Sequence, residues 1–248
     1  MKDRINLLNT KVDNLSMAES INEIDRLIKL KKTSYVVTPN VDHIVQLEDD
    51  DEFREIYKNA DLVLTDGMPL IWISWLLRRP IKEKVSGSDL FPNVCEMAAK
   101  NSYKLFILGA EKGVAKIASE NLKKKYKGLN VVGTFSPKYG FEKDPNEVLN
   151  IINIVKKANP DILAIGLGTP KQEKFIYRYK DDLGVPVCLA IGASIDFIAG
   201  KVKRAPLWMQ KIGFEWFYRL YKEPNRMFKR YIMKDLKIFK ILIKYKNK

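Results

Sequence analysis

An acidic residue stands directly after an apolar, strand-like run in the first third of the sequence. Asp66 follows residues 62–64 and precedes Gly67. In open α/β sheets ligands bind beyond the carboxyl ends of the strands, so this carboxylate is placed to accept a proton from a hydroxyl group or to bind a ribose. The alternative is that Asp66 and Gly67 form a turn without a chemical role.

Polar residues also follow the preceding strand-like run, residues 35–37. Thr38 and Pro39 are residue types preferred at the N-cap and first turn of a helix, where free backbone N–H groups attract anions. The favoured alternative is that these two residues start a helix and have no further function. His43, the only histidine in the chain, is either a base or a helix-start residue with a local hydrogen bond.

Two glycine-containing turns follow later strand-like runs. Gly109 precedes a helical pattern, an arrangement that lets the backbone approach a diphosphate. Gly166 and Gly168 form the second turn, and neither turn has the three-glycine spacing of the dinucleotide-binding fingerprint. Thr169 and Gln172 then have the spacing of a helix capping box, which competes with a substrate-binding role for Gln172.

Two further polar clusters have weaker chemical interpretations. Lys84 precedes a helix start with Ser88 or Asp89 as the predicted cap, and this lysine is placed to meet a phosphate. Asp49-Asp50-Asp51 contains the D-x-D spacing that holds a divalent ion in some nucleotide-sugar enzymes. Because this run follows a helical pattern and continues into Glu52, we interpret it as a solvated helix end.

The elements that must position these residues are visible as alternating patterns. Strand-like runs occupy residues 35–37, 62–64, 105–108, 131–132, 162–165 and 187–191, and helical patterns occupy residues 16–31, 43–59, 69–79, 88–100, 113–126, 145–158, 170–182 and 193–199. The strand-like runs are apolar throughout, as in strands covered on both faces. We therefore predict an α/β domain over residues 1–200, with a Rossmann-like, doubly wound, mostly parallel sheet, helices on both faces, and a small strand or hairpin at residues 5–12.

The pattern changes near residue 201, where aromatic and basic residues begin to interleave. Residues 201–248 contain 15 basic and 3 acidic residues, so they carry +12 of the formal net charge of +14. Apolar residues recur there at spacings of three or four, at Phe228, Ile232, Leu236, Phe239 and Ile243. This predicts a basic amphipathic helical appendage over residues 201–248 that binds an anionic membrane surface. Binding of RNA by the same segment lacks any supporting RNA-binding motif.

Composition excludes several protein classes. Hydrophobic residues make up 46% and charged residues 30%, as in globular proteins. The only cysteines, Cys95 and Cys188, lie in apolar stretches, which excludes a disulfide framework and a cysteine-based metal site. Residues 1–8 lack the apolar core of a signal peptide, and the longest apolar run, 70–77, is too short to span a membrane. We expect a protein of a reducing compartment, in the cytosol or on a membrane.

Five ordered motifs together resemble the WecG/TagA/CpsF glycosyltransferases, family 26. They are Thr38-Pro39-Asn40 with Asp42-His43, Thr65-Asp66-Gly67-Met68-Pro69, Val85-Ser86-Gly87-Ser88-Asp89, Gly166-Leu167-Gly168-Thr169-Pro170-Lys171-Gln172-Glu173, and Arg204-Ala205-Pro206 before Trp208. The resemblance covers essentially the whole chain. It implies an enzyme, most similar to the TagA branch, that transfers N-acetylmannosamine from UDP-N-acetylmannosamine to N-acetylglucosaminyl-diphospho-undecaprenol, an early step of wall teichoic acid synthesis.

The resemblance also implies roles for single residues. Asp66 matches the family's proposed base, which takes the proton from the acceptor's 4-hydroxyl in an inverting reaction without a metal or cofactor. Thr38, Asn40 and Gln172 match polar residues around the sugars. The turn at Gly109 is suited to the uridine diphosphate.

Cationic residues are implied to offset the charge of the leaving diphosphate. Arg219, Arg226 and Arg230 match arginines that close over the site when the appendage docks on the bilayer. Lys84 stands where many members have arginine, which keeps the charge but loses the fork geometry that grips a phosphate with two hydrogen bonds.

The implied partners are the UDP-sugar, the lipid-linked acceptor and an anionic membrane surface on the cytoplasmic face, with no nucleic acid expected. Family members form dimers, and the apolar tail is as suited to a homodimer interface as to lipid. Two alternatives stay open. One is transfer of a different sugar, such as N-acetylmannosaminuronic acid, and the other is a non-catalytic nucleotide-binding module tethered to membrane or RNA.

Overall fold

The structure is a computed structural model that describes residues 4–228, 231 and 235–246. In these residues eight strands form two sheets. The first sheet is an antiparallel hairpin of β1 (Arg4–Leu7) and β2 (Thr10–Asp13), as predicted for residues 5–12. The second sheet comprises β3 (Ser34–Val37), β4 (Leu62–Val63), β5 (Lys104–Gly109), β6 (Asn130–Phe135), β7 (Ile162–Gly166) and β8 (Val187–Ala190). Its order is β4-β3-β8-β7-β5-β6, and every neighbouring pair is parallel.

Helices lie on both faces of the larger sheet, which confirms the predicted α/β, Rossmann-like class. They are α1 (Met17–Leu30), α2 (Val41–Asp49), α3 (Asp51–Lys58), α4 (Met68–Leu76), α5 (Gly87–Lys100), α6 (Val114–Lys125), α7 (Pro145–Ala158), α8 (Lys171–Leu183), α9 (Ser194–Ala199), α10 (Leu207–Lys211), α11 (Glu215–Lys222), α12 (Pro224–Phe228) and α13 (Lys237–Tyr245), with a short 3-10 helix at Phe141–Lys143. Alternate residues of β3 enter opposite cores: Tyr35 and Val37 pack with α2, α3 and α8, and Val36 packs with α1 and α5.

The predicted helix over residues 43–59 is wrong in one respect, because the structure has two helices there. Asp50 leaves the helical conformation with φ −122° and ψ 103°, and its side chain accepts a hydrogen bond from the Phe53 backbone N–H. Asp50 therefore caps α3 and also forms a 2.7 Å ion pair with Lys174. The aspartate run is a helix junction rather than only a solvated helix end.

Two predicted caps near the sheet edge are also wrong. Asn40, not Thr38, caps α2, and its side chain and that of His43 form a reciprocal capping box. Ser86, not Ser88 or Asp89, caps α5 by accepting a hydrogen bond from the Asp89 backbone N–H. In both places the side chain with the correct geometry stands two or three residues from the predicted one.

The predicted capping box of Thr169 and Gln172 does not form. α8 begins at Lys171, and the residue at its cap position, Pro170, provides no side-chain hydrogen bond. The side-chain amide of Gln172 instead donates to Glu173 in the same helix and accepts a hydrogen bond from the Gly192 backbone N–H in the loop after β8. The substrate-binding role of Gln172 stays a prediction.

The C-terminal helix α13 packs on α2 through one apolar face and exposes another. Ile238 and Ile241 are buried in the core beside α2. Phe239 and Ile243 are 61% and 76% exposed. The predicted apolar stripe therefore faces outward at Phe228, Leu236, Phe239 and Ile243, and its member Ile232 lies outside the described residues.

Ion pairs support the packing of α13. Lys237 contacts Asp49 at 3.2 Å, and Lys244 contacts Glu48. In the described part of the chain, no helix combines the length and the apolar character required to cross a bilayer.

Candidate active site

The functional candidates meet at the carboxyl ends of four adjacent strands, β4, β3, β8 and β7. The loops that follow β3 and β4 are joined directly, because the Asp66 backbone N–H donates to Pro39 O at 2.8 Å. The loops after β7 and β8 are joined by Gln172, whose Oε1 accepts a hydrogen bond from the Gly192 N–H at 3.1 Å. The parallel order of the strands thus places Thr38, Asp66 and Gln172 around one opening.

Two cavities lie at this edge of the sheet and share three lining residues. One is polar and has a volume of about 280 Å³. The other is apolar and has a volume of about 540 Å³. Asn40, Asp66 and Arg219 line both cavities, so they stand at the junction between them.

The polar cavity brings together three of the predicted sugar-binding residues, since Thr38, Asn40 and Gln172 all line it. Its wall also includes Gly87 and Ser88 at the first turn of α5, the loop residues Gly168 and Thr169, and Gly192, Ala193 and Ser194 at the start of α9. A helix start presents backbone N–H groups that favour an anion. The Oγ1 atom of Thr169, one of these wall residues, is buried without a hydrogen-bond partner among the described residues.

Asp66 is only partly exposed and lies among charged neighbours. Burial raises the pKa of Asp66 above its ordinary value of 3.8, and the cations of Arg219 and Lys84 act in the opposite direction. A carboxylate with a raised pKa binds a proton more readily than a fully solvated one. This property suits a group that must accept a proton near neutral pH.

The buried carboxylate of Glu173 connects Gln172 in α8 with His43 in α2. Glu173 is 1% exposed. Its Oε1 accepts a hydrogen bond from Gln172 Nε2 at 2.8 Å and lies 3.4 Å from His43 Nε2. The other ring nitrogen of His43 lies 2.8 Å from Asn40 Oδ1. Both ring nitrogens of His43 are thus engaged, which favours its interpretation as a helix-start residue with a local hydrogen bond rather than a base.

A chain of alternating charges runs from the α5 cap to Arg219. Asp89 contacts Lys84 at 3.2 Å and Arg204 at 2.6 Å. Glu215 contacts Arg204 at 3.3 Å and Arg219 at 3.1 Å. Although burial alone would raise it, hydrogen bonds from Arg204 and Ser86 lower the pKa of Asp89 to about 2. At the end of this chain Arg219 is held by its ion pair with Glu215. Its guanidinium also lies 5.1 Å from the centroid of the Phe197 ring.

Two of the predicted binding residues, Gly109 and Lys84, line neither cavity, although Lys84 belongs to the chain of charges that leads to Arg219. Gly109 has φ +119°, and a Cβ there would lie 2.3 Å from Gly166 O, so close approach of β5 and β7 explains why this residue is glycine. The side chain of Arg226 and the whole of Arg230 lie outside the described residues.

Sequence reasoning missed several residues of the two cavities. Glu173 belongs to a motif that was recognised, but its contact with His43 depends on folding that no local pattern shows. Trp72 and Leu76 of α4 line the apolar cavity. Their signal is the apolar character of residues 70–77, from which the sequence analysis predicts a helix over residues 69–79 but no binding surface.

Comparison with known proteins adds relatives that cover most of the chain. The family profile described as "Glycosyl transferase WecG/TagA/CpsF family" matches residues 5–248. A protein of Bacillus subtilis strain 168 is 31% identical over 199 residues, which are 80% of this chain and 75% of the relative. A protein of Bacillus spizizenii is 30% identical over 195 residues, which are 79% of this chain and 74% of the relative.

A more distant relative covers still more of the sequence. A protein of Staphylococcus aureus strain MW2 is 26% identical over 226 residues, which are 90% of this chain and 87% of the relative. All three relatives bear the name N-acetylglucosaminyldiphosphoundecaprenol N-acetyl-beta-D-mannosaminyltransferase. The match of the family profile over nearly the entire chain, through both the α/β sheet and the C-terminal helices, shows that this protein belongs to the WecG/TagA/CpsF family of glycosyltransferases.

Proposed function

We propose that this glycosyltransferase transfers N-acetylmannosamine from UDP-N-acetylmannosamine to the 4-hydroxyl of N-acetylglucosaminyl-diphospho-undecaprenol, an early step of wall teichoic acid synthesis. The names of the three relatives support the acceptor and the transferred sugar. The observation that carries the proposal is the position of Asp66, where a polar and an apolar cavity meet. A site with these two sides suits a reaction between a nucleotide sugar and a lipid-linked sugar.

Asp66 is the general base of the proposed reaction. Its carboxylate takes the proton of the acceptor hydroxyl while the oxygen attacks the anomeric carbon of the donor sugar. The bond between that carbon and the diphosphate oxygen breaks, and UDP leaves from the opposite face. Inversion needs this one carboxylate, and the α-linked donor yields a β-linked product.

The polar cavity is the proposed donor site. Thr38, Asn40 and Gln172 offer hydroxyl and amide groups to the sugar, and Glu173 holds Gln172 in place. The first turn of α5 and Arg219 face the same space, and both favour the negative charge of a diphosphate. The predictions that Lys84, Gly109, Arg226 and Arg230 bind the diphosphate stay predictions, as does metal independence, which activity in excess EDTA checks.

The acceptor lipid requires the enzyme to work at a membrane surface. We propose that residues 201–248 bind the cytoplasmic face of the membrane peripherally, because +12 of formal charge and exposed apolar side chains occur in the same segment. The described apolar members of this surface are Phe228, Leu236, Phe239 and Ile243. A homodimer through this apolar surface remains the alternative use of it.

A direct assay tests the function. Purified protein, UDP-N-acetylmannosamine and a short-chain analogue of the acceptor are expected to release UDP and give a disaccharide whose β-linkage NMR identifies. Faster UDP release from UDP-N-acetylmannosaminuronic acid would assign a different sugar. Binding of UDP without turnover on either donor would contradict the proposal and favour a nucleotide-binding module.

A further inference from the structure

Helix α4 is apolar on nearly all of its faces, although part of its surface is open to solvent. Leu70 and Ile71 are buried in the core. Trp72 and Trp75 are 42% and 56% exposed. A helix that is apolar all round is usually covered, and a large exposed apolar patch marks a binding surface.

The two tryptophans of α4 face different surroundings. Trp72 lines the apolar cavity together with Ile73 and Leu76, whereas Trp75 does not. The opposite wall comes from the C-terminal segment, through Trp216 and Phe239. The cavity is therefore a cleft between α4 and the C-terminal helices.

Close packing at Gly213 seats the C-terminal segment on α4. A Cβ at this glycine would lie 2.7 Å from Met68 Cβ and 3.2 Å from Trp72 Cζ2. Only a residue without a side chain permits this approach, and Gly213 also has φ +83°. The contact fixes Trp72 at the wall of the cleft.

The cleft has chemically different ends. Most of its lining is aromatic or aliphatic, but Asn40, Asp66 and Arg219 line its junction with the polar cavity. Two further carboxylates, Glu215 and Asp235, also line it, and Glu215 is paired with Arg219. Arg219 is the one cation among the described residues of this lining, so a ligand that matches the lining has a polar head that reaches Arg219 and an apolar chain.

We propose that the cleft between α4 and α13 binds the first isoprene units of a polyprenyl diphosphate acceptor. This inference rests on the proposed function, which places the acceptor sugar at Asp66. In the acceptor the diphosphate joins the sugar to the hydrocarbon chain, and the cleft likewise joins a polar end with Asp66 and Arg219 to an apolar lining that includes Trp72. A bilayer acyl chain or a second copy of the protein would not account for the continuity between the apolar lining and the catalytic carboxylate.

Binding without turnover tests the cleft. In solution without vesicles or detergent, tryptophan fluorescence measures the affinity for inorganic diphosphate, geranyl diphosphate and farnesyl diphosphate below their micelle concentrations. Each isoprene unit that enters an apolar site is expected to increase the affinity on the order of tenfold. Trp72→Ala and Phe239→Ala are expected to lose most of this increase while their affinity for UDP stays unchanged.

Two matched variants control for general effects of removing apolar surface. Trp75→Ala removes a tryptophan from the same helix, and Ile243→Ala removes an exposed apolar side chain from α13, but neither residue lines the cleft. Both controls are expected to retain the dependence on chain length. Equal losses in Trp72→Ala and Trp75→Ala, or no dependence on chain length in the wild type, would overturn the proposal. Circular dichroism melting curves show whether each variant is folded.

Transfer kinetics separate this inference from the proposed function. If acceptors with and without isoprene units are glycosylated with the same KM, the cleft proposal fails and the transferase proposal stands. If farnesyl diphosphate binds in the cleft but no donor sugar is transferred, the transferase proposal fails and the binding site stands. The expected result is a KM that falls with chain length in the wild type and in Trp75→Ala, but not in Trp72→Ala.

Discussion

Asp66 is partly buried where the two cavities meet, and that position sets its proton affinity. Burial raises its pKa above 3.8, and Arg219 and Lys84 limit the rise. Because the folded state binds this proton more tightly than the unfolded chain does, Asp66 lowers stability as the pH rises from 3.8 through its raised pKa. An aspartate that only forms a turn gains nothing from a partly buried position that lowers stability. A general base does gain, because the same position raises its pKa.

The pH dependence of the reaction follows from the same shift. We expect kcat/KM to rise with pH through the raised pKa of Asp66 and then to level off, because only the ionised carboxylate accepts a proton. Arg219→Gln removes the larger of the two cationic influences, so the acidic limb is expected to move to higher pH. Initial rates of UDP release from pH 4 upward measure both. An acidic limb at or below 3.8 in the wild type would contradict this account.

Removal of the Glu173 side chain is expected to lower both the stability of the protein and its affinity for the donor. Glu173→Ala leaves Gln172 Nε2 and His43 Nε2 without their buried acceptor, and we expect the free energy of unfolding to fall by about 1–3 kcal/mol. The affinity for the UDP-sugar is expected to fall as well, because Gln172 and Asn40 lose their common support. Urea unfolding and donor titration measure the two effects.

Glu52→Ala is the control for this prediction. Glu52 pairs with Lys174 and Arg178 on the surface, where an ion pair contributes about 0–1 kcal/mol. An equal loss of stability in the two variants, with donor affinity intact in both, would show that Glu173 does not position the site.

Helices and strands differ in how far the sequence determines them. The strands were recognisable because both faces of the sheet are covered, which makes the runs continuously apolar. Helix starts were not, because Asn40, Ser86 and Asp50 compete with neighbouring polar residues that have the same capping ability. The order of the strands is also invisible locally, and it places β5 and the Gly109 turn beside β7, next to the four strands whose ends carry the site.

The link between α5 and the C-terminal segment yields a prediction for these elements. Arg204 contacts Asp89 at 2.6 Å, and both side chains are partly buried. A double-mutant cycle with Arg204→Gln and Asp89→Asn is expected to give a coupling free energy of about 1–3 kcal/mol. Thermal or urea unfolding of the four proteins measures it.

The pH dependence of that coupling has a defined sign. The pKa of Asp89 is lowered from 3.8 to about 2 in the folded protein, so its contribution is fully present above pH 3.8 and is lost as the pH falls toward 2. A coupling near zero at pH 7, or one that increases between pH 4 and pH 2, would show that the pair does not hold the two elements together.

Residues 201–248 differ from the rest of the chain in charge, but they are not separate from it in packing. Residues 201–248 hold nearly all of the net charge, yet Ile238 and Ile241 of α13 are buried in the core beside α2. The sequence predicted the outward apolar stripe of this segment. It did not predict the buried face, because the same spacing of isoleucines fits a free amphipathic helix. Removing the segment would therefore expose part of the core as well as remove a membrane-binding surface.

Substitution of exposed lysines tests membrane binding without exposing the core. Lys240 and Lys246 are exposed on and beside α13. Lys240→Gln with Lys246→Gln is expected to weaken binding to anionic liposomes by about 1 kcal/mol per lysine, and less at high salt. Lys116→Gln with Lys123→Gln removes the same charge from exposed positions of α6 and serves as the control. Equal losses of liposome sedimentation for the two double variants would show that net charge, not the C-terminal surface, governs binding.

The rate of UDP release by Asp66→Asn, with UDP-N-acetylmannosamine and the lipid-linked acceptor both present, tests the central claim most directly. We expect a loss on the order of 10²–10⁴-fold, because the variant has no base at the junction of the two cavities. UDP affinity is expected to persist, and the free energy of unfolding at pH 7 should not fall, because the variant removes a buried charge. Release at the wild-type rate by a folded Asp66→Asn protein would contradict the assignment of Asp66 as the base.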